Sequence, residues 1–286
     1  MSYITTSDGI VIHFTQWGDP DGEAVLFIHG LGADNIGWVR QRQAFSAYRC
    51  IAVDNRGSGG SDKPLGPYSL ERMARDAVEV LDRLDVEQAH VIGASMGGAL
   101  AQIITLGFPE RVHTLVLACT ACDLGWRHEL FDEWEDLIRT QGMRAFAIKN
   151  FEWLFGQRSV RRLYPIAALV GPFLVRAPAD AFIAQLDAIR NFDGTRAFDA
   201  GTTEELAQVT APTLVITGSQ DILTPVADAE EIAARIPRSE LVVIHGQAHG
   251  FMVEGARHFN RAVLDFLDRA RVQRRAASLP GRFLQE

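Results

Sequence analysis

The stretch His90-Val91-Ile92-Gly93-Ala94-Ser95-Met96-Gly97-Gly98-Ala99-Leu100 (HVIGASMGGAL) decides how the rest of the chain is read. An apolar, β-branched run stops at a cluster of small residues with one serine at its centre, and a helix-forming run follows at once. Gly93-Ala94-Ser95-Met96-Gly97 has the spacing G-x-S-x-G and stands where that spacing carries meaning, directly after a strand and directly before a helix. The reason is crowding. A sharp strand-to-helix turn holds the serine in strained backbone geometry, and only small residues such as Gly93 and Gly97 let the chain pass so closely. The hydroxyl then projects above the sheet edge, beside the N–H groups and positive dipole end of the helix. By itself the pentapeptide is equally compatible with an ordinary turn, so its meaning depends on what surrounds it.

Outward from Ser95, short and nearly continuous apolar runs alternate with helical patterns. The runs are Ala24 to Gly30 (AVLFIHG), Cys50 to Asp54, Ala89 to Ala94, His113 to Thr120, Thr213 to Ser219 and Leu241 to Gly246. Runs apolar on both faces belong to parallel strands covered by helices on each side. The helical patterns cover 69–84, 97–108, 226–236 and 255–270, and the alternating segment Ile10 to Gly18 behind Ser7-Asp8-Gly9 predicts an antiparallel hairpin at a sheet edge. The alternation breaks once, between about Asp123 and Glu205. That segment carries Trp126, Trp134, Trp153 and several Phe at helical spacing, interrupted by Pro165, Pro172 and Pro178. The expected organisation is therefore a core of residues 1–122 and 206–286, with a helical cap of residues 123–205 inserted over the C-terminal edge of the sheet. The basic stretch from Arg271 to Glu286 reads as a solvated tail, with subunit contact in a homodimer as the alternative.

Composition narrows the partners. The 286 residues are 47% hydrophobic and 22% charged, with a formal net charge of −8 and no long basic run. Nucleic acid and anionic membrane surfaces both demand clustered Lys and Arg, so neither is expected, and a small uncharged ligand fits better. Cys50, Cys119 and Cys122 are odd in number and two of them lie in or near apolar runs, which argues against a disulfide framework. Cys119 and Cys122 have CxxC spacing, but no second pair completes a zinc site, so no metal and no organic cofactor is expected. The start MSYITTSDGI has neither the basic nor the apolar region of a secretory signal, and no apolar stretch approaches the ~20 residues of a membrane span. A cytoplasmic location is expected.

A serine hydroxyl needs a base within hydrogen-bond reach, itself oriented by an acid. The loop Gly218-Ser219-Gln220-Asp221-Ile222-Leu223-Thr224-Pro225 places Asp221 after a strand, and Gly246-Gln247-Ala248-His249-Gly250 places His249 after the next one. Parallel strands point their C-termini the same way, so both residues leave the sheet edge that Ser95 leaves. The order nucleophile, acid, histidine is that of the strand-turn-helix serine motif. Asp123, just after the strand that ends near Ala118, is the rival acid; His245, His13, His90, His113, His128 and His258 sit on strands, in the insertion or on a helix. An oxyanion also needs prearranged donors. The N–H of Met96 is one candidate and that of Leu31, between Gly30 and Gly32, the other.

These residues resemble the α/β-hydrolase fold family over nearly the whole chain. The resemblance rests on His29-Gly30, on Asp54-Asn55-Arg56-Gly57-Ser58-Gly59-Gly60-Ser61 (D-x-R-G-x-G-x-S), on the Ser95 turn, and on Asp221 and His249. It implies a mostly parallel eight-stranded sheet flanked by helices, with a helical cap, and a structural role for the Asp54–Arg56 turn. Within the family, GPYSLERMARDAVEVLDRLDVEQAHVIGASMGG is similar to the esterase and enol-lactonase branch. Dehalogenases and epoxide hydrolases carry Asp where Ser95 stands, and the cofactor-free haloperoxidases carry Pro near Gly32-Ala33. Carbon–carbon hydrolases of meta-cleavage products carry Asn and Trp where Ala94 and Gly250 stand, yet remain the alternative. The resemblance thus implies a serine hydrolase of small, largely apolar esters or lactones, with Gly30, Gly32, Trp38, Trp126, Trp153 and Phe251 as expected pocket residues. A non-catalytic binding protein on the same fold is the remaining reading.

Overall fold

The computed structural model describes residues 2–124, 127–162, 177–190, 192 and 203–278. One sheet contains β1 (Ser2–Thr5), β2 (Val11–Gly18), β3 (Ala24–Ile28), β4 (Arg49–Val53), β5 (Ala89–Ala94), β6 (Val112–Ala118), β7 (Thr213–Gly218) and β8 (Ser239–Ile244). Across the sheet they run β1-β2-β4-β3-β5-β6-β7-β8. Strand β2 is antiparallel to β1 and β4, and the other pairings are parallel. The helices are α1 (Leu70–Arg83), α2 (Met96–Gly107), α3 (His128–Leu154), α4 (Ala179–Arg190), α5 (Val226–Arg235), α6 (Phe251–Glu254) and α7 (Ala256–Ser278).

The apolar runs form strands because each has two faces to bury. In β3, Leu26 and Ile28 enter one core with Met73, Ala77 and Leu81 of α1 and Leu100 and Ile104 of α2. Val25 and Phe27 enter the other, with Trp38, Phe45 and Phe259, Val263 and Leu267 of α7. Helix α1 starts where Ser69 accepts a hydrogen bond from the Arg72 amide at 3.2 Å, and it buries Leu70, Met73, Ala77 and Leu81 along one stripe. Between residues 123 and 205, α3 is broken at Gly142, whose φ is +83°, and packs against α4. No helix among the described residues is long and apolar enough to cross a membrane.

Two expectations need correction. The segment beginning at Arg271 is not a free tail over the part described, because α7 runs on to Ser278. Arg271 pairs with Asp268 one turn earlier and Arg274 pairs with Glu23, so charges that suggested solvation dock the helix instead. The last strand lies two residues earlier than expected, ending at Ile244 before the turn at Gly246, where φ is +74°.

The turn after β4 is held by buried charge. Asp54 accepts from the Asn35 and Gly60 amides at 2.7 and 2.8 Å and meets His13 Nδ1 at 2.7 Å. Arg56 donates to both carboxylate oxygens of Asp76, at 2.7 and 2.8 Å. Asp76 is 1% exposed, so removing it leaves a buried guanidinium with only the more exposed Asp8 as partner. Asp76→Ala is expected to lose about 3–5 kcal/mol of unfolding free energy in urea denaturation, the cost of breaking a buried pair from one side; a loss below about 1 kcal/mol would contradict this account.

Candidate active site

Ser95 joins β5 to α2 with φ +55° and ψ −122°, backbone angles that an L-residue adopts only under constraint. The constraint is visible on every side. The Ser95 amide donates to Ala118 O at 2.9 Å, and its carbonyl accepts from the Gly98 amide at 2.8 Å and from Thr120 Oγ1 at 2.9 Å. A Cβ on Gly97 would stand 2.1 Å from Ile28 O, and one on Gly93 would stand 2.2 Å from Gly97 O. The close passage that the glycine spacing implied is thus present.

His249 and Asp221 leave the ends of β8 and β7 and meet at 2.8 Å, Nδ1 to Oδ2. The other oxygen of Asp221 accepts from the Leu223 and Thr224 amides, each at 2.9 Å, and Thr224 Oγ1 donates to Oδ2 at 2.8 Å. Burial pushes the Asp221 pKa up; the adjacent imidazole, its hydrogen bond and the Thr224 donors together outweigh this and hold it below the ordinary carboxylate value. Asp221 is therefore a carboxylate able to keep the proton of His249 on Nδ1, which leaves Nε2 as a base. Asp123, the rival acid, has an exposed side chain, and His249 bonds to Asp221 instead. Ser95 and His249 line one cavity, and no hydrogen bond joins them directly; such bonds are often long without substrate.

The loop after β3 commits its amides one by one. Gly30 N–H donates to His29 Nδ1 at 2.8 Å, Gly32 N–H to Gln185 Oε1 at 2.9 Å and Ala33 N–H to Gly30 O at 3.2 Å. Among the described residues that leaves the Leu31 amide without an acceptor in this loop. A Cβ on Gly30 would lie 2.9 Å from Ser95 Cβ, so the loop touches the serine and only glycine fits there. Met96 N–H opens α2 beside it.

The cavity measures about 300 Å³. Its floor holds Ser95, His249, Leu31 and Met96, and its roof is Phe131, Trp134, Phe146 and Leu154 of α3 with Phe182 and Ile189 of α4. The expected pocket residues fare unevenly. Gly30 lines the cavity. Trp38 and Phe251 do not, because both are wholly buried in the core on the far face of the sheet, packed near Phe259. Trp153 stands behind the wall, stacked on Trp134 and Phe146, and Gly32 is drawn away by its bond to Gln185. Trp126 lies outside the described residues.

Two residues of importance escaped the sequence reading. Gln185 of α4 is fully buried; besides holding Gly32, its Nε2 donates to Arg56 O at 2.7 Å and Ser58 Oγ at 3.0 Å. Only its place among buried positions of an amphipathic helix could have singled it out. Arg127 is engaged within the protein: it donates to Leu223 O at 2.7 Å and to Asp123 O at 3.2 Å, and pairs with Asp228. Ligand atoms of Cys119, Asp221 and His249 fall within 4.8 Å of one another. This set does not suit a metal, since Asp221 has its acceptor positions filled and burial pushes the Cys119 thiol pKa far up, keeping it protonated.

His29 offers a pH test. Enclosure between Gly37 and Trp38 lowers its pKa to about 4 from 6.5, helped by the nearby His249, and its Nδ1 must be unprotonated to accept from Gly30. The folded pKa is depressed, so the unfolded chain binds the extra proton first. The contribution is whole above pH 6.5 and is lost as pH falls toward 4. Urea midpoints measured across that window should fall less steeply for His29→Asn than for the wild type; parallel slopes would refute the assignment.

The comparisons with known proteins agree with this fold. A model of the alpha/beta hydrolase fold matches residues 23–159, and one described as TAP-like protein matches residues 193–278. The chain is 29% identical to 3-oxoadipate enol-lactonase 2 of Acinetobacter baylyi, over 90% of this chain and 93% of that one. It is 32% identical to a putative carbamate hydrolase, RutD, of Variovorax paradoxus, over 90% and 96%. The crystal structure of the enol-lactonase from Burkholderia xenovorans LB400 superposes with a TM-score of 0.84 at 26% identity, covering 93% of this chain and all of that one. The mostly parallel eight-stranded sheet, the serine turn at its edge and the matches along the chain's length make this protein a member of the α/β-hydrolase fold family.

Proposed function

We propose that this hydrolase cleaves carboxylic esters or lactones through Ser95, His249 and Asp221. The observation that carries the reading is the Asp221–His249 pair, bonded at 2.8 Å and sharing an apolar cavity with a serine held in strained geometry. Ser95 Oγ attacks the carbonyl carbon while His249 Nε2 takes its proton, and Asp221 stabilises the imidazolium that forms. The carbonyl oxygen, now negative, lies between the Leu31 and Met96 amides. Collapse expels the alcohol, which takes the proton back from His249; water then repeats the sequence on the acyl-enzyme and frees the acid. The cavity wall favours a small, largely apolar substrate.

The same three residues would serve carbon–carbon hydrolysis of a vinylogous diketone. Against it stands Gly250, where a Cβ would already meet Leu154 O at 3.0 Å and the Phe155 ring at 3.2 Å, so that the tryptophan of that branch would be crowded.

With p-nitrophenyl butyrate as substrate, Ser95→Ala should reduce turnover on the order of 10⁴-fold or more; equal rates in the two proteins would end the proposal. Gln185→Leu should lower kcat by roughly tenfold to a hundredfold with KM little changed, because it frees the loop that carries the Leu31 amide rather than a group that binds substrate. A change confined to KM would show that Gln185 does not position that amide.

A further inference from the structure

Nearly every polar side chain facing the cavity is already engaged. Thr120 donates to Ser95 O, Thr224 to Asp221, and Arg127 to Leu223 O, while Asp34 accepts from the Ile36 amide. Asn150 of α3 is different. It lines the cavity among Phe146, Trp134 and Leu154, it is 9% exposed, and its side-chain amide has no hydrogen-bond partner among the described residues. Asn150 stands one helical turn from Phe146 and one from Leu154, both of which line the cavity, so its side chain shares their helix face. An amide is costly to place in an apolar enclosure without a partner, and a leucine of similar size would fill the same position without that cost.

We infer that Asn150 is a specificity-determining residue that pairs with a neutral oxygen of the substrate, a ketone, hydroxyl or amide carbonyl, on the portion lying beneath α3 and away from the bond that is cleaved. This rests on the ester or lactone reading and refines its substrate class from plain alkyl to oxygenated. A carboxylate is disfavoured at this position: among the described residues lining the cavity, Arg127 is the one arginine or lysine, and it is already paired with Asp228. The side-chain N–H₂ donates to a carbonyl oxygen, and the side-chain oxygen accepts from a hydroxyl. A substrate lacking such a group leaves the amide unpaired in the complex, which is how a polar site rejects an apolar analogue.

The test compares matched p-nitrophenyl esters, hexanoate against 3-, 4- and 5-oxohexanoate and 5-hydroxyhexanoate, with wild type, Asn150→Leu and Asn150→Ala. At least one oxygenated ester should exceed hexanoate in kcat/KM by roughly tenfold in the wild type, and Asn150→Leu should bring the ratio of the two kcat/KM values to about one. Thermal unfolding separates a structural role: Asn150→Leu should be at least as stable as wild type, whereas an amide needed for folding would give a clear loss. Hexanoate turnover with an oxygen preference unchanged in both variants, or with no preference in the wild type, overturns the inference and leaves the ester reading intact. If no ester is turned over, the ester reading fails, and calorimetric binding of methyl 5-oxohexanoate and methyl hexanoate to Ser95→Ala and Ser95→Ala/Asn150→Leu reads the same contrast; equal affinities there overturn the inference as well.

Discussion

The close approach of α2 to the end of β3 is the constraint on which the rest of the site depends. Gly97 lies against Ile28 O, Gly93 against Gly97 O, and Gly30 against Ser95 itself. Three contacts without room for a Cβ join two strands, a helix and a loop into one backbone unit. The strain at Ser95, of order 1–3 kcal/mol for such an angle, persists because Ala118, Gly98 and Thr120 fix both of its peptide groups. The direction of the Cα–Cβ bond that carries the hydroxyl is therefore set by main-chain packing, which a side-chain substitution elsewhere does not readily disturb.

Two buried carboxylates show how the same local chemistry serves different ends. Asp54 and Asp221 are each saturated by backbone amides and each bonded to a histidine Nδ1 at 2.7–2.8 Å. His13, the partner of Asp54, has its Nε2 buried without a partner among the described residues, and its ring packs against Gly60 and Tyr3. His249 borders the cavity that also holds Ser95. The pairing alone is thus no signature of reactivity. What differs is whether the histidine borders a cavity.

Local signals were legible in the sequence, and distant ones were not. The strands could be read because a parallel strand buried on both faces must be apolar throughout, and the turn at Ser95 because its glycines are two residues away on either side. The residues Asp221 and His249 followed from strand direction together with the order nucleophile, acid, histidine. The cavity wall was misread at Trp38 and Phe251 because an aromatic residue satisfies a core and a pocket equally well, and periodicity gives the face without saying what lies opposite. Phe182 and Ile189 share a helix face with Gln185, yet nothing in the spacing tells that this glutamine reaches Gly32, 153 positions earlier. The basic stretch from Arg271 looked solvated because the sequence does not show that Glu23 lies opposite.

Helices α3 and α4 reach all three loops of the site through polar bonds. Gln185 holds the loop of Leu31; Arg127, just before α3, donates to Leu223 beside Asp221; and Leu154, at the end of α3, accepts from the Gly250 amide at 2.6 Å, next to His249. The same helices supply the aromatic roof. Substrate fit and alignment of the reacting groups therefore draw on one set of elements. Under the proposed reaction, a substrate that displaces α4 also displaces the glutamine that steadies the oxyanion loop. A poor fit is then paid in the transition state, and discrimination falls on kcat as well as on KM. An enzyme whose roof touched none of these loops would register a poor fit in binding alone.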